Sequence, residues 1–210
     1  RTARLTEPYA DADGDDGDAR GDWVLEPAEL AALVERVDDA GLQMTTHAIG
    51  DAAIEAVLDA YEGTSGRRHR IEHAELLTDE LIDRLGDAAV VVSAQPNFHK
   101  WAREGGLYAD RLGDRRRRET NRFGALLDHG ANLAFGSDCL PMDPLFGIGQ
   151  AVDGPTPAQS VSVTEALRAY TAGGAYAGFA EDRAGTIERG KRGDFVALDR
   201  SPWEAEEIDA

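Results

Sequence analysis

Three short apolar segments of this sequence each end in a side chain that can bind a metal ion. The first ends at His47, the second at His73 and the third at Asp138. Each segment has the length of a β-strand and precedes residues typical of turns or helix starts. Reactive residues at the C-terminal ends of parallel strands meet on one face of the sheet. Since two imidazoles and a carboxylate are suitable ligands for a divalent metal, the pattern predicts a metal site.

Each of these residues also has an ordinary structural interpretation when it is taken alone. A single histidine at a strand end is usually structural, and Asp138 could cap a helix because Leu140 and Pro141 follow it. Three such residues after three alternating strands favour a shared site over a structural charge network. His69 and His129 are predicted to be structural.

The elements that must position these side chains alternate between helices and strands. Helices are predicted over 26–40, from a cap at Asp51, from a cap at Thr78, over 115–129 and over 164–170. Strands are predicted over 43–47, 70–74, 88–95, 132–138 and 193–199, with a long active-site loop over 97–114. Regular alternation of this kind indicates a parallel sheet with right-handed crossovers. It fits either a small open sheet or half of an eight-stranded barrel.

The charge balance excludes one class of partner. The 210 residues include 40 acidic and 22 basic side chains, for a net charge of −18, and only two of the basic residues are lysines. Nucleic acid would repel such a surface. An acidic interaction protein is one interpretation. Adaptation to molar intracellular salt is the favoured one, because a Debye length of about 3 Å screens the repulsion among carboxylates.

Several features of the sequence favour a cytoplasmic protein. No apolar run approaches the roughly 20 residues of a membrane helix, and the N-terminus lacks a basic-then-apolar signal pattern. Cys139 is the single cysteine, so an internal disulfide is impossible and a reducing compartment fits. The sequence starts at Arg1 without methionine, which predicts a chain entered part-way.

Four motifs resemble the amidohydrolase superfamily, and more narrowly family 3, the branch of N-substituted formamide deformylases and YtcJ-like proteins. They are THAIGD at 46–51, RIEHA at 70–74, QP at 95–96 and FGSD at 135–138. Two later segments support the resemblance, EALRAYT at 165–171 and GKRGDFVAL at 190–198. The resemblance covers essentially the whole chain, and four motifs in the same order are a specific signal.

The resemblance implies a (β/α)₈ TIM barrel with a small β-sandwich. Residues 1–184 would be the C-terminal half of the barrel, with strands five to eight, and residues 185–210 a remnant of the sandwich. His47 and His73 would bind a metal, usually zinc, and Asp138 would bind metal or water and act as general base. Zinc lowers the pKa of a bound water from about 15.7 to about 7. Asp138 would accept its proton and pass it to the leaving nitrogen.

The resemblance also implies that Gln95 and His99 face the substrate. His99 could polarise the scissile carbonyl or bind another substrate group, and the plain alternative is a surface histidine. Ser137 and Cys139 are interpreted as packing or hydrogen-bonding residues rather than nucleophiles.

Two features of the family pattern are missing from this sequence. The family pattern has a metal-binding His-x-His pair on strand one, and this sequence contains no such pair. The family pattern also has a lysine at the end of strand four, and neither Lys100 nor Lys191 matches its position. The chain is therefore predicted to be the C-terminal fragment of a metal-dependent hydrolase. It would act on carbon–nitrogen bonds other than peptide bonds, in a small linear amide or formamide. The fragment alone is expected to bind metal weakly or not at all and to be inactive. The alternative is a non-catalytic regulatory or binding module built on the same barrel.

The predicted half barrel has two open edges, at the strands of His47 and Asp138. Unpaired backbone groups at such edges need partners. An apolar inner face that includes Val91 and Phe135 would also meet water. The isolated chain is therefore predicted to form a homodimer that covers these edges.

Overall fold

The computed structural model describes residues 2–12, 19–64, 66–204 and 208. Its centre is a four-stranded parallel sheet with the strands in sequence order, β1-β2-β3-β4. The strands are β1 Thr45–Ala48, β2 Arg70–His73, β3 Val91–Ala94 and β4 Asn132–Phe135. All four predicted barrel strands are thus present, each shorter than predicted, and they bring the candidate residues to one edge of the sheet.

Helices connect and cover the strands. They are α1 Pro27–Asp39, α2 Asp51–Tyr61, α3 Asp79–Asp87, α4 His99–Ala102, α5 Leu107–Arg117, α6 Phe123–Asp128, α7 Pro144–Val152, α8 Val163–Arg168 and α9 Gly174–Ala177. A 3₁₀ turn at Pro96–Phe98 precedes α4, and a π-helical segment at Ala169–Gly173 joins α8 to α9.

One of the two predicted helix caps is confirmed and the other is wrong. The Thr78 hydroxyl accepts a hydrogen bond from the Leu81 amide at 3.2 Å, as expected of an N-cap. The cap of α2 is instead Gly50, and Asp51 is the first helical residue. The buried Asp51 carboxylate accepts hydrogen bonds from the amide and hydroxyl of Thr6. It therefore attaches the N-terminal segment to the start of α2 rather than capping that helix.

The apolar core lies between the helices and one face of the sheet. Ile71, Val92 and Leu133 form one register row across β2, β3 and β4. All three are buried in the same cluster as Ile54 of α2 and Leu81 of α3. Each such side chain contributes about 1.5–3 kcal/mol when it leaves water. This face therefore provides most of the energy that holds the strands in place.

The opposite face of the sheet is polar, which corrects the prediction of an apolar inner face. Its central row runs from His47 through Glu72 and Ser93 to Ala134. Arg70 donates to the Glu72 carboxylate at 2.8 Å and lies 3.3 Å from the Ser93 hydroxyl. Water on this face would therefore meet charged groups.

The two apolar residues assigned to that face are both covered. Val91 packs with Ala134 and Ala177 in a separate buried cluster. Phe135 belongs to the helix-covered core, where its ring lies 4.9 Å from that of Phe123.

The end of α9 covers the N-terminal end of the sheet. The side-chain amide of Gln43 donates to the carbonyls of Arg68 and Ala177, at 2.7 and 3.0 Å. The Arg68 guanidinium donates to the Tyr176 carbonyl at 3.0 Å and lies 3.9 Å from the centre of its ring. The C-terminal segment is thus bound beneath the strands, at the opposite end from the candidate site.

The long loop predicted over 97–114 is wrong, because this segment is mostly helical. The helix predicted over 115–129 is also wrong as a single element. Gly113 has φ 77° and kinks α5 before it ends at Arg117, and Asn121 has φ 50° between α5 and α6. Left-handed residues interrupt helices, and periodicity did not locate them. Helix α7 has no counterpart among the predicted elements, although Asp143 caps it and Pro144 is its first residue.

The strand predicted over 193–199 is absent. Phe195 and Val196 are both 78% exposed, in an extended segment without strand pairing. A strand needs a neighbour for its backbone groups, and the described residues pair none with it. The assignment of 185–210 to a sandwich remnant stays a prediction.

Within the described residues, β1 and β4 each pair with a strand on one side only. The same part of the chain contains no helix with the length and apolar character needed to cross a membrane.

Candidate active site

His47 and His73 lie side by side at the C-terminal edge of the sheet. The register of β1 and β2 places Ala48 opposite His73. The two imidazole centroids are 4.4 Å apart and the rings meet at 72°. Two imidazoles at this spacing can bind one metal ion between them, because each ring can direct a nitrogen lone pair at the same point.

Gln95 determines which nitrogen of His73 carries the proton. The Gln95 side-chain nitrogen donates to the Ser93 carbonyl at 3.1 Å, so its oxygen faces His73. That oxygen lies 2.7 Å from Nδ1 of His73. A carbonyl oxygen can only accept, so His73 donates from Nδ1, and in the neutral ring the lone pair is on Nε2. This tautomer leaves Nε2 available to a metal ion, and its stabilisation by a neighbouring acceptor is typical of metal sites.

Asp138 lies on the loop after β4 and faces the same cleft. The cleft has a volume of about 630 Å³ and is lined by His47, His73 and Asp138, among others. Burial lowers the pKa of His47 below 6.5 and His73 lowers it further, whereas Asp138 and Glu72 raise it. A lowered pKa favours the neutral imidazole, which is the form that binds metal.

The donor set fits zinc in its chemistry but is incomplete. In the described ranges, no group of three or more His, Cys, Asp or Glu side chains is arranged to hold a metal ion. The two imidazoles are therefore the core of the site, with Asp138 on the same cleft.

Comparison with known proteins gives this geometry a family. The model of the amidohydrolase family matches residues 1–209. This chain belongs to the amidohydrolase family. A Bacillus subtilis (strain 168) protein that bears the name amidohydrolase YtcJ is 35% identical to this chain over 218 residues. The match spans 97% of this chain and 40% of that protein. The N-substituted formamide deformylase of Arthrobacter pascens is 28% identical, over 83% of this chain and 35% of its own length.

A solved structure agrees with the family assignment. An uncharacterized metal-dependent hydrolase from Pyrococcus furiosus superimposes with a TM-score of 0.84 and 36% identity. The match covers 97% of this chain and 42% of that one. The predicted α/β fold of TIM-barrel type is thereby confirmed, and the chain spans about 40% of the length of its relatives. That share is consistent with half of an amidohydrolase barrel.

The structure does not bring His99 into the amidohydrolase cleft, contrary to the prediction. Its side chain is 0% exposed. Nδ1 lies 2.9 Å from the Gln150 carbonyl and Nε2 lies 3.1 Å from the Asn121 carbonyl. Burial lowers its pKa, and both nitrogens face the protein interior, so the ring has no atom available to a substrate. Gln95 is likewise engaged with His73 rather than free for a substrate.

The structural interpretation of His69 and His129 agrees with their contacts. His69 accepts a hydrogen bond from the Met44 amide at 3.0 Å and is almost fully buried. His129 lies at the end of α6, where Nδ1 is 2.8 Å from the Ala125 carbonyl.

Sequence reasoning missed two residues of the cleft, Glu75 and Tyr108. Glu75 is 3% exposed, and the Tyr108 hydroxyl donates to its carboxyl group. Burial raises the pKa of Glu75 to about 7; the hydrogen bond from Tyr108 opposes the shift and Asp138 adds to it. Burial, together with Glu75, also raises the pKa of Tyr108. The position of Glu75 just after His73 was a usable signal, whereas Tyr108 lies in the segment taken for a loop.

An aromatic wall borders the cleft beside His73. Phe98 stacks nearly parallel to the His73 ring, with centroids 6.1 Å apart. The ring centroid of Trp101 lies 4.7 Å from that of Phe98 and 6.0 Å from that of Tyr108. These rings give the cleft an apolar surface next to its polar residues.

Proposed function

We propose that the protein carrying this chain is a zinc-dependent hydrolase of carbon–nitrogen bonds other than peptide bonds. The observation that carries the proposal is the contact between His47 and His73, with the tautomer of His73 fixed by Gln95. A pair of imidazoles at the C-terminal edge of a parallel sheet suits a catalytic zinc.

The chain's own residues would divide the work. His47 and His73 would bind the metal through ring nitrogens. Zinc, when bound, would act as a Lewis acid and lower the pKa of the water bound to it. Asp138, on the same cleft, would accept the proton of the attacking water and deliver it to the leaving nitrogen.

The proposed substrate is a linear amide or formamide of modest size. A cleft of about 630 Å³ accommodates a small molecule. Phe98 and Trp101 offer an apolar wall to a substituent on the nitrogen. A relative that bears the name N-substituted formamide deformylase supports this class.

For the 210-residue chain alone, we propose weak metal binding and no turnover. A catalytic zinc has three protein ligands and an open position, and the described residues form no such group. The same observation supports the second candidate, a regulatory or binding module on the amidohydrolase barrel that binds no metal.

Variants of the complete protein distinguish the two candidates. His47→Ala and His73→Ala should each remove zinc and activity together, measured by metal analysis and amide hydrolysis. Asp138→Asn should keep most of the zinc and lose activity. His129→Ala is the control, because this histidine lies at the end of α6 and does not line the cleft. Full zinc content in both histidine variants would refute the enzyme, and a wild type without zinc would favour the module.

A further inference from the structure

We propose that Asn97 is a positioning residue that fixes the loop carrying Asp138. The loop runs from Ser137 to Met142, between β4 and the Asp143 cap of α7. The inference rests on the proposed role of Asp138, because a base must be oriented before it can accept a proton.

The loop has a backbone that its surroundings must maintain. Asp138 and Cys139 have φ of 46° and 64°, consecutive left-handed conformations of residues that are not glycine. Such conformations persist only where neighbouring structure determines them. Burial contributes little here, because Leu140 is 41% exposed and Met142 is 78% exposed. Hydrogen bonds from the body of the protein are therefore the available constraint.

Asn97 supplies that constraint. Its side chain is 0% exposed, and its nitrogen donates to the carbonyls of Leu140 and Pro141 at 3.1 and 2.9 Å. The side-chain nitrogen of asparagine has two hydrogens, so it can serve both carbonyls at once. The two acceptors follow Asp138 by two and three residues, so the bonds restrain the stretch of backbone that carries its carboxylate.

The same short segment positions both sides of the site. Gln95 bonds to His73, and Asn97 follows it in the 3₁₀ turn Pro96–Phe98. The distance between the imidazole pair and the loop that carries Asp138 thus depends on one turn at the end of β3. A proline at the start of this turn restricts its backbone further.

The loop carbonyls, and not the surroundings of the amide oxygen, determine the orientation of the Asn97 side chain. Its oxygen and the Tyr170 hydroxyl are both buried and have no hydrogen-bond partner within the described residues. Both lie beside Gly147, at 2.8 and 1.8 Å from the point where a Cβ would stand. A flipped amide would instead direct its oxygen at the two loop carbonyls, which cannot donate, so the loop contacts require the orientation described.

The single cysteine allows a direct test. Cys139 is exposed and adjacent to Asp138, so a trifluoromethyl label on its sulfur reports the loop by ¹⁹F NMR. The wild type should give one resonance displaced from that of the urea-unfolded chain. Asn97→Ala and Asn97→Asp should shift this resonance towards the unfolded position and sharpen it. Folded Asn97 variants with the wild-type resonance would overturn the proposal.

Asn132→Ala is the matched control. Its side-chain amide donates to the Val90 carbonyl at 3.2 Å, at the start of β4 and away from the loop. This variant should lower Tm and leave the resonance of the label unchanged. A general loss of stability would instead shift the resonance in all three variants, which would also overturn the proposal.

A measurement on the wild type covers the case in which the Asn97 variants do not fold. The side-chain amide hydrogens of Asn97 should exchange with solvent far more slowly than in the unfolded chain, since both are bonded and buried. Exchange at the unfolded rate would overturn the proposal. In the complete enzyme, Asn97→Asp should lower kcat about 10- to 100-fold with little change in KM. An active Asp138→Asn variant would refute the proposed function, while the label would still report whether Asn97 fixes the loop.

Discussion

The hydroxyl of Tyr108 donates a hydrogen bond to the carboxyl group of Glu75, two residues beyond His73 in the chain. The pair joins α5 to the loop after β2 and lies on the wall of the cleft. Burial here raises the pKa of Glu75 from 4.5 to about 7. Besides Asp138, the cleft therefore contains a carboxyl group, that of Glu75, whose pKa lies near neutral pH.

Glu75→Gln should change how stability depends on pH. The carboxyl group of Glu75 binds its proton more tightly in the folded chain than in the unfolded chain. Its stabilising effect is therefore complete below about pH 4.5 and is lost as the pH rises through about 7. Relative to the variant, the wild type should lose up to about 3 kcal/mol of unfolding free energy between pH 4.5 and 8.

Urea unfolding at both pH values, in high salt, measures this difference. Glu55→Gln serves as the control, because Glu55 is exposed on α2. Parallel pH profiles for the wild type and Glu75→Gln would contradict a raised pKa of Glu75.

Gln95 should control metal affinity without binding metal itself. Gln95→Leu leaves Nδ1 of His73 without an acceptor, which should weaken zinc binding in the complete protein about 10- to 100-fold. It should also cost roughly 1–3 kcal/mol of stability, because a buried donor is left unpaired. Gln95→Glu keeps an acceptor and should keep the affinity. Titration against a competing chelator compares the two, and equal affinities would exclude this role.

The sequence was informative where function depends on local pattern. His47, His73 and Asp138 could be predicted to share a cleft because each lies at or just after the C-terminal end of a strand, and the sheet brings strand ends together whatever the loops do. The burial of His99 could not be found in this way. It depends on carbonyls of Asn121 and Gln150, which lie 22 and 51 residues further along the chain.

Backbone conformation explains most of the errors in the predicted elements. A single helix is predicted over 115–129, yet Asn121 adopts a left-handed conformation that separates α5 from α6. The strand over 193–199 has a strand-like sequence, but pairing depends on a neighbour that sequence pattern alone does not reveal.

The isolated 210-residue chain should form a homodimer in solution. Two copies related by a two-fold axis would place β4 of one beside β1 of the other, in parallel, and so complete eight strands. Because the inner face is polar, backbone pairing rather than apolar burial would drive the contact. The interface should exceed roughly 2,000 Å². Sedimentation equilibrium in high salt tests this, and a cooperative, dilute monomer would exclude it.

Molar salt should stabilise the chain. With a net charge of −18, screening removes repulsion that otherwise opposes the compact state. Tm should rise by more than about 5 °C between low salt and molar KCl, which for a chain of this length corresponds to roughly 1.3–2.5 kcal/mol or more. Calorimetry gives the comparison, and an unchanged Tm would argue against adaptation to salt.

The contacts of Gln43 and Arg68 at the N-terminal end of the sheet affect how the cleft at the other end can change over evolutionary time. These side chains bind the end of α9 beneath the strands, far from the cleft. Mutations that alter the walls of the cleft therefore leave this anchor intact, and mutations in the anchor alter stability without redesigning the chemistry. Selection can act on the two ends of the strands almost independently, so new substrate preferences can arise while the scaffold is inherited unchanged.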